Sequence, residues 1–565
     1  METDDNDDVL DFLRKYSRQF NQNLEDIRFS NLSKDFFIYL RRAFKYDLLE
    51  KRDGSIISSL LTENGNLSTD PDDINKQLIT TLKELQLDLS KPYPINLAFP
   101  TLPSKSIVEM KAILSKLSTG KAIAWDGLTD SIFHKDLQDK TSLIFADLWD
   151  SLKQIPNIHF ESRLIPLNKK HPNIPTRKDL RPIIVTSPLV KLIEASLLPD
   201  LTSYLIKDLH PGQTGFVPGF GIFVNIHRAI DRIRLRTSNH KRCYGVFVDF
   251  SSAYNTIDHD ILFQKLIPII GEDKTNMMRA LYSRIKIRLG KESFIPNQGV
   301  AQGSVISPAL FDIYAESLLK TLERNTHTDM EDLLAYADDT LVLCDTLEQA
   351  HNVIETIRTW CKDNSMKLNE QKSGIVEFVN RRIKTMLKLK SFNGFPVCQE
   401  YKYLGLKLTC KLSMFSQLSY ISQKAKDMHR RLSPFLYNAD LDIRKSLWQV
   451  FIQPLIEFVL PLYNWETAIS NIKKADSIIR NSFKIFSGLK RNTSNEIVDL
   501  LSGYNFKSRA KFIYQVSSEK WKSRKKGEPF QFNSLPIFVQ KTLDPNKRNM
   551  CKKNATRTCI LLKYY

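Results

Sequence analysis

Cysteines are scarce in this chain, and their spacing excludes two common uses of the residue. There are seven in 565 residues. No two of them form a C-x-x-C pair, which zinc knuckles and dithiol redox motifs require. So few, widely scattered cysteines also do not suggest the disulfide framework of a small secreted protein. The sequence therefore fits a reducing compartment and predicts no cysteine-based metal site.

Long apolar runs are missing too. The most apolar extended stretch, residues 447–465, is interrupted by two prolines and by polar residues that include Glu457. A membrane-spanning helix needs about 20 consecutive, mostly apolar residues. The stretch is therefore interpreted as protein core, and no membrane partner is expected.

Acidic residues are fewer than basic residues in this chain. Lysine and arginine number 82 against 63 aspartates and glutamates, which gives a formal net charge of +19. This balance favours a polyanionic partner such as nucleic acid, although a merely basic soluble protein would show it as well. Hydrophobic residues make up 42% of the chain, enough to bury large cores.

Strand-like and helix-like patterns alternate through the middle of the chain. The runs CYGVFVDF, LLAYADDTLVLC and SGIVEFV are typical of strands, whereas PALFDIYAESLLKTL and LEQAHNVIETIRTWCKDN have helical spacing. From residue 412 to about 516 the periodicity is mostly helical, and the last stretch is rich in lysine and arginine. These patterns predict an α+β core followed by a helical region.

Three carboxylates stand out in this core. Asp249 ends a β-branched and aromatic run, while Asp338 and Asp339 interrupt two apolar strand segments. The second pattern predicts a hairpin with both acids at its tip. Neighbouring strand residues face opposite ways, so we expect Asp338 to point at a shared site and Asp339 to be more peripheral.

Such carboxylates would repel one another unless cations neutralised them. Mg²⁺ prefers oxygen ligands and leaves coordination positions for substrate phosphates. Two such ions about 3.5–4 Å apart support in-line nucleotidyl transfer. Ordinary turn chemistry is the alternative for an isolated Asp-Asp pair.

A collinear series of motifs extends between about residues 101 and 465. In order, it runs GKAIAWDGL, RLIPLNKK with DLRPIIV, QTGFVPGFG, VFVDFSSAYNTIDH, NQGVAQGSVISPALFDIY, LAYADDT, MKLNEQKSG and YKYLGLKL. The series resembles the reverse transcriptases of non-LTR (LINE-type) retrotransposons. YADD between apolar runs is the most specific member. AIAWDGL departs from the usual proline-containing version of its turn but keeps Asp126 and Gly127.

The resemblance implies a right-hand polymerase of fingers, palm and thumb. The expected domains are an N-terminal, mostly helical extension (1–100), fingers (101–245), a palm with the catalytic site (246–400), a primer grip with a helical thumb that includes 447–465 (401–520), and a basic tail (521–565). Only about one hundred residues precede the first polymerase motif, so we expect an enzyme without its own endonuclease.

The resemblance also assigns roles to individual residues. Asp249, Asp338 and Asp339 would be catalytic and would bind two Mg²⁺ ions, with Mn²⁺ as an alternative. Tyr254 would exclude a ribose 2′-hydroxyl, and Lys372 would assist departure of pyrophosphate. Further substrate contacts are expected from Phe250, Gln302, Gly303, Arg181, Lys169 and Lys170. The primer grip would comprise Tyr403, Leu404 and Gly405.

The implied partners are an RNA template, a DNA or RNA primer, and dNTPs. Two alternatives stay open at this point. An RNA-directed RNA polymerase is disfavoured by Tyr254, and a non-catalytic nucleic-acid-binding scaffold is expected to have lost at least one of the three acids. The nucleus or cytoplasm is the expected compartment, with the mitochondrion as an alternative, because the acidic start METDDNDDVL resembles no signal or transit peptide.

Overall fold

A computed structural model describes most of the chain from residue 66 to residue 531. The described ranges, apart from shorter stretches between 57 and 149 and residues 382–383, are 66–88, 103–117, 160–169, 173–380, 387–436, 439–465 and 469–531. Most of the expected N-terminal extension and basic tail, together with Asp126, Gly127 and Lys170, lies outside the described residues.

The described chain divides into two compact units. The larger unit comprises Lys51–Gln399 and Lys520–Gln531, and the smaller unit contains Glu400–Glu519. The finer division into fingers, palm and thumb stays a prediction.

The larger unit mixes strands and helices, as the alternating sequence pattern predicts. Its strands are β1 (Leu60–Leu61), β2 (Leu67–Ser68), β3 (Phe160–Asn168), β4 (Leu180–Val185), β5 (Arg242–Val248), β6 (Ile285–Leu289), β7 (Glu292–Phe294), β8 (Leu333–Tyr336), β9 (Asp339–Cys344), β10 (Gly374–Val379), β11 (Ser391–Phe392) and β12 (Phe395–Cys398). Its helices are α1 (Pro71–Gln86), α2 (Ile107–Leu114), α3 (Pro188–Lys207), α4 (Ile222–Arg236), α5 (His259–Ile270), α6 (Glu272–Tyr282), α7 (Ser307–Thr326) and α8 (Leu347–Asp363).

The main sheet has the strand order β11-β12-β10-β5-β9-β8. Strand β5 pairs antiparallel with both β10 and β9, and its residues 243–248 are buried. A continuous apolar run suits this position because a central strand is covered on both faces. Helix α8 lies against β5 and β9, and buries residues spaced three or four apart, among them Val353, Ile357 and Trp360.

A second sheet has the order β4-β3-β6-β7. Strand β3 pairs antiparallel with β4 and parallel with β6. The loop of residues 298–303 is connected to this sheet, because the Ile184 N–H of β4 donates to the Gln302 carbonyl at 2.8 Å. This contact places the loop beside the strand that carries Arg181.

The smaller unit begins with a hairpin and continues as helices. Its elements are β13 (Glu400–Tyr403), β14 (Leu406–Thr409), α9 (Phe415–Leu436), α10 (Leu441–Phe451), α11 (Gln453–Glu457), α12 (Leu460–Trp465), α13 (Ile469–Ser487), α14 (Asn495–Ser502) and α15 (Phe506–Lys525), whose last turns belong to the larger unit. The stretch 447–465, expected to be part of a long helix, is divided among α10, α11 and α12. Pro454 and Pro461 each lie at the second position of a new helix, because proline lacks the N–H that would continue the preceding one.

Within the described part of the chain, no helix combines the length and apolar character needed to cross a membrane.

Candidate active site

The register of the main sheet brings the three predicted acids to one end. Val248 of β5 pairs with Thr340 of β9, so the next antiparallel pair places Asp249 opposite Asp339. Asp338 immediately precedes Asp339 at the start of β9. The carboxylates therefore meet at the carboxyl end of β5, although about ninety residues separate them along the chain.

A two-residue turn forms the tip of the acidic hairpin, as the sequence predicts. Tyr336 pairs with Asp339, which leaves Ala337 and Asp338 in the turn. Ala337 has φ +54°, a left-handed conformation that a non-glycine residue adopts only at some energetic cost. The surroundings must therefore hold this residue in place.

Electrostatics indicate that the acids interact. Burial, together with the charges of the Asp338 and Asp249 carboxylates, raises the pKa of Asp339 to about 7. Asp339 is nevertheless exposed to solvent. Burial also raises the pKa of Asp338, the charge of Asp249 adds to this rise, and Arg181 opposes it. Burial and mutual repulsion thus both disfavour the ionised forms of Asp338 and Asp339.

Asp249 is held by the segment that leads into β10. The Ser373 hydroxyl accepts from the Asp249 N–H at 3.0 Å, and the Asn369 N–H donates to the Asp249 carbonyl at 2.9 Å. Burial raises the pKa of the Asp249 carboxyl, while the positive charge of Lys372 and a hydrogen bond from Asn369 lower it. Lys372 is thus close enough to Asp249 to act on it electrostatically.

The donor set suits a hard divalent cation only in part. Carboxylate oxygens are the ligands Mg²⁺ prefers, and a cation would stabilise the ionised forms of Asp338 and Asp339, which burial and neighbouring carboxylates disfavour. Yet within the described ranges no three His, Cys, Asp or Glu side chains are already arranged to hold a metal ion. The chemistry of the residues fits a cation, whereas a complete ligand cage is not preformed.

A group of cations faces these acids. Burial lowers the pKa of Lys169, and the positive charges of Arg181 and Lys372 lower it further. The Lys169 N–H donates to the Asp179 carbonyl at 2.9 Å, which fixes the loop between β3 and β4. Arg181, Lys169 and Lys372 are therefore mutually repelling charges near an acidic site, an arrangement that suits a polyphosphate.

The Tyr254 ring is stacked on the Phe311 ring. The ring centroids are 5.1 Å apart and the planes differ by 12°. Burial raises the pKa of the Tyr254 phenol, and the carboxylates of Asp312 and Asp338 raise it further. Asp312 is fully buried, and neither of its oxygens has a hydrogen-bond partner among the described residues. The phenol ring is thus rigid and stays neutral.

The loop containing Gln302 and Gly303 is fastened at both ends. The Val300 N–H donates to the Tyr254 carbonyl at 2.7 Å. Gly303 has φ +127°, and a Cβ there would lie 2.6 Å from the Ile184 carbonyl oxygen, so glycine is required. At the far end, buried Glu194 accepts from the Ser304 hydroxyl at 2.7 Å and from the Val305 N–H at 3.0 Å.

Two other expected contacts have different surroundings. The Phe250 side chain is buried and lies 6.2 Å from the Trp360 ring, so it belongs to the core, and its backbone is the part near Asp249. The expected primer-grip residues form the turn of the β13–β14 hairpin. Tyr403 is buried, and Leu404 and Gly405 both have positive φ.

The structure adds one residue, Gln213, that sequence reasoning missed. The Gln213 side chain accepts from the Ala337 N–H at 2.9 Å and donates to the Ala337 carbonyl at 3.1 Å. A Cβ on Gly215 would lie 2.2 Å from the Ala337 nitrogen. Gln213 directly precedes the Thr214–Phe216 stretch of the QTGFVPGFG motif, so the motif was visible but its contact with the acidic hairpin was not.

Comparison with known proteins identifies sequences that are similar to this chain. Residues 167–408 match the family model described as reverse transcriptase (RNA-dependent DNA polymerase). The chain is 23% identical over 419 residues to the RNA-directed DNA polymerase from mobile element jockey of Drosophila melanogaster, which covers 70% of this chain and 45% of that protein. It is 26% identical over 332 residues to the Retrovirus-related Pol polyprotein from type-2 retrotransposable element R2DM of the same species, covering 54% and 30% respectively.

A third relative is the probable RNA-directed DNA polymerase from transposon BS of Drosophila melanogaster, 22% identical over 358 residues, or 60% of this chain and 39% of that protein. The chain spans less than half the length of each of these curated relatives. The resemblance expected from the motifs is confirmed: residues 167–408 match the reverse transcriptase family, and the chain is similar to RNA-directed DNA polymerases of non-LTR (LINE-type) retrotransposons.

Proposed function

We propose that the chain is an RNA-directed DNA polymerase that adds dNTPs to a primer 3′-hydroxyl. The observation that carries this proposal is the meeting of Asp249, Asp338 and Asp339 at one sheet end, opposite the cations Lys169 and Arg181. A scaffold that had lost catalysis would be expected to lack at least one of these acids.

In this proposal the three aspartates hold two Mg²⁺ ions, which when bound would make the primer hydroxyl more acidic and neutralise the leaving pyrophosphate. Arg181 and Lys169 contact the β- and γ-phosphates, for which arginine is suited by its several N–H donors. Lys372, which acts electrostatically on Asp249, would donate a proton to the departing pyrophosphate.

The nucleotide itself is selected by Tyr254 and the loop at Gln302. The Tyr254 ring, held by stacking on Phe311, selects dNTPs by steric exclusion of a ribose 2′-hydroxyl. Gly303 lets the base pair approach the backbone, and the Gln302 amide hydrogen-bonds the incoming nucleotide.

The proposed large-scale arrangement is a right hand. Residues 101–245 act as fingers, 246–400 as palm and 401–520 as a helical thumb. The turn of Tyr403, Leu404 and Gly405 grips the primer end. RNA template and a DNA or RNA primer are the proposed partners.

Primer extension by the purified chain tests the proposal. The assay uses an RNA template with an annealed DNA primer and Mg²⁺, and compares dNTPs with rNTPs. Asp338→Asn is expected to lower the rate by at least about a thousandfold, because metal-assisted charge stabilisation contributes several kcal/mol and about 1.4 kcal/mol corresponds to tenfold. Asp363→Asn, an exposed acid at the end of α8, is the matched control and should extend normally.

Each alternative has its own outcome. Extension with rNTPs alone would identify an RNA polymerase. Tight binding of the primer–template duplex without incorporation of either nucleotide would identify a scaffold. Equal extension by wild type and Asp338→Asn would contradict the proposed site.

A further inference from the structure

Arg524 lies near the end of α15 and is almost completely buried. Its side chain is 1% exposed. Burying a guanidinium is costly unless its N–H groups are hydrogen-bonded. Here the hydrogen bonds go to backbone carbonyls of the larger unit, at Leu205, Ile206, Leu209, His210 and Gln213, over 2.9–3.3 Å.

These carbonyls belong to the end of α3 and the segment after it. The last carbonyls of a helix lack intrahelical partners, and a positive charge there also suits the helix dipole. One side chain therefore fixes the path of the chain from the end of α3 to Gln213. A lysine could not replace it, because an ammonium group has three N–H donors at a single nitrogen.

Gln213 carries this constraint to the acidic hairpin. Its amide grips both polar backbone groups of Ala337, the residue before Asp338. The adjacent backbone also pairs with β8, since the Ala335 N–H donates to the Gly212 carbonyl at 2.9 Å and the Thr214 N–H donates to the Ala335 carbonyl at 3.0 Å. A shift of the 205–213 segment would therefore move the turn that holds Asp338.

Trp521 is the first residue in a second series of contacts that leads to β8. Its ring lies 3.4 Å from the Arg228 guanidinium carbon. Arg228 donates to the Leu333 carbonyl of β8 and to the side chain of Asn225, and Asn225 in turn donates to the Ala335 carbonyl at 2.7 Å. Trp521 and Arg524, one helical turn apart, are thus each connected to β8 through a different set of residues.

We propose that Trp521 and Arg524, here called the buttress pair, are positioning residues for the catalytic hairpin. The pair lies beyond residues 167–408, the part of the chain that matches the reverse transcriptase model. The expected loss of catalysis rests on the proposed function. The expected effect on the hairpin backbone does not, because the buttress pair acts there whether or not DNA is made.

Hydrogen–deuterium exchange measures the support directly. The full chain is compared with Arg524→Lys, which keeps the charge but loses most of the carbonyl contacts, and with Gln213→Met, which keeps the side-chain length but removes the amide. In both variants, exchange in peptides covering 333–339 is expected to accelerate about tenfold or more, since local opening controls exchange. Peptides covering β10, in the same sheet, should be unchanged. Lys526→Ala, which removes an exposed cation just after α15, is the matched control and should leave 333–339 unchanged.

Primer extension gives the catalytic readout. Arg524→Lys is expected to lower kcat about tenfold or more and to raise the Mg²⁺ concentration for half-maximal activity, with KM for dNTP and duplex affinity within about twofold of wild type. Titration of active sites separates a lower rate per site from a smaller folded fraction.

Two results would overturn the buttress proposal. One is unchanged exchange at 333–339 in Arg524→Lys, and the other is equal acceleration at 333–339 and in β10, which would mean a general loss of stability. Failure of the wild type to make DNA, with the predicted local change in exchange, would contradict the proposed function and leave the buttress pair supported.

Discussion

At the scale of single residues, the stacked ring of Tyr254 leads to a test of sugar selection. Replacing Tyr254 by alanine removes the ring and opens space beside Phe311. We expect Tyr254→Ala to improve rNTP incorporation relative to dNTP by about tenfold or more, because a steric clash of one hydroxyl is removed. Competition between the two nucleotides in primer extension measures the ratio.

Tyr254→Phe is the control for this change. It keeps the ring and should keep the discrimination against rNTPs. If Tyr254→Ala discriminates as well as wild type, the sugar is selected elsewhere.

A second residue-scale prediction follows from Asp339, whose pKa is raised by burial and nearby carboxylates from its ordinary value of 3.8 to about 7. Between these two pH values the folded chain binds a proton that the unfolded chain has lost. Stability therefore falls as pH rises through this window, and the loss is complete above about pH 7. Without divalent cations, the melting temperature of wild type should decline more steeply from about pH 5 to pH 8 than that of Asp339→Asn.

Adding Mg²⁺ at about pH 8 should recover the loss in wild type, because a bound cation stabilises the ionised carboxylates. The gain in melting temperature should be smaller in Asp339→Asn. Parallel pH curves for the two proteins would contradict the pKa shift of Asp339.

The acidic hairpin could be predicted from sequence because it depends on a local pattern. Asp338 and Asp339 interrupt apolar strand segments, and a hairpin was the expected result. Gln213 could not be assigned its role, since the amide contacts Ala337, which is 124 residues away. The roles proposed for Lys169, Lys372 and Gln302 stay predictions.

At the scale of elements, close contact between the QTGFVPGFG segment and the acidic hairpin predicts different effects for two glycines. A Cβ on Gly215 would overlap the Ala337 backbone, whereas one on Gly221 would meet nothing within 4 Å. Neither has a positive φ, so backbone strain does not enter the comparison.

We expect Gly215→Ala to lower extension activity by at least about tenfold, since small displacements at an active site are costly to catalysis. Gly221→Ala should keep wild-type activity. Both variants are assayed at equal folded concentration, checked by circular dichroism. Full activity of Gly215→Ala would show that the hairpin tolerates displacement.

The types of the helices and strands could largely be predicted from the periodicity of the sequence. Their first and last residues were predicted less well. Helix α8 and strand β10 were both expected. The stretch 447–465 is divided because Pro454 and Pro461 interrupt helical hydrogen bonding, an effect that outweighs its apolar character.

At the scale of the whole molecule, the net charge of +19 predicts salt-sensitive binding of nucleic acid. Each phosphate contacted by lysine or arginine releases condensed counterions. Plotted on logarithmic axes, the association constant for an RNA–DNA duplex should fall with salt concentration with a slope of roughly −4 or steeper, which corresponds to about five contacted phosphates. Fluorescence anisotropy measures it.

Asp338→Asn is the control, since removing one acid at the catalytic centre should leave the slope nearly unchanged. A slope near zero for wild type would contradict an electrostatic nucleic-acid interface.

Arg524 comes late in the sequence, so its contacts can form only late in synthesis. A ribosome makes the Asp338–Asp339 turn long before it makes residue 524, and the carbonyls from Leu205 to Gln213 are made earlier still. The growing chain can therefore pair its strands before Arg524 exists to hold them. A nascent chain stopped short of Arg524 would contain all three acids but would lack the Arg524 hydrogen bonds that support their hairpin. Catalytic competence would therefore be gained late in synthesis.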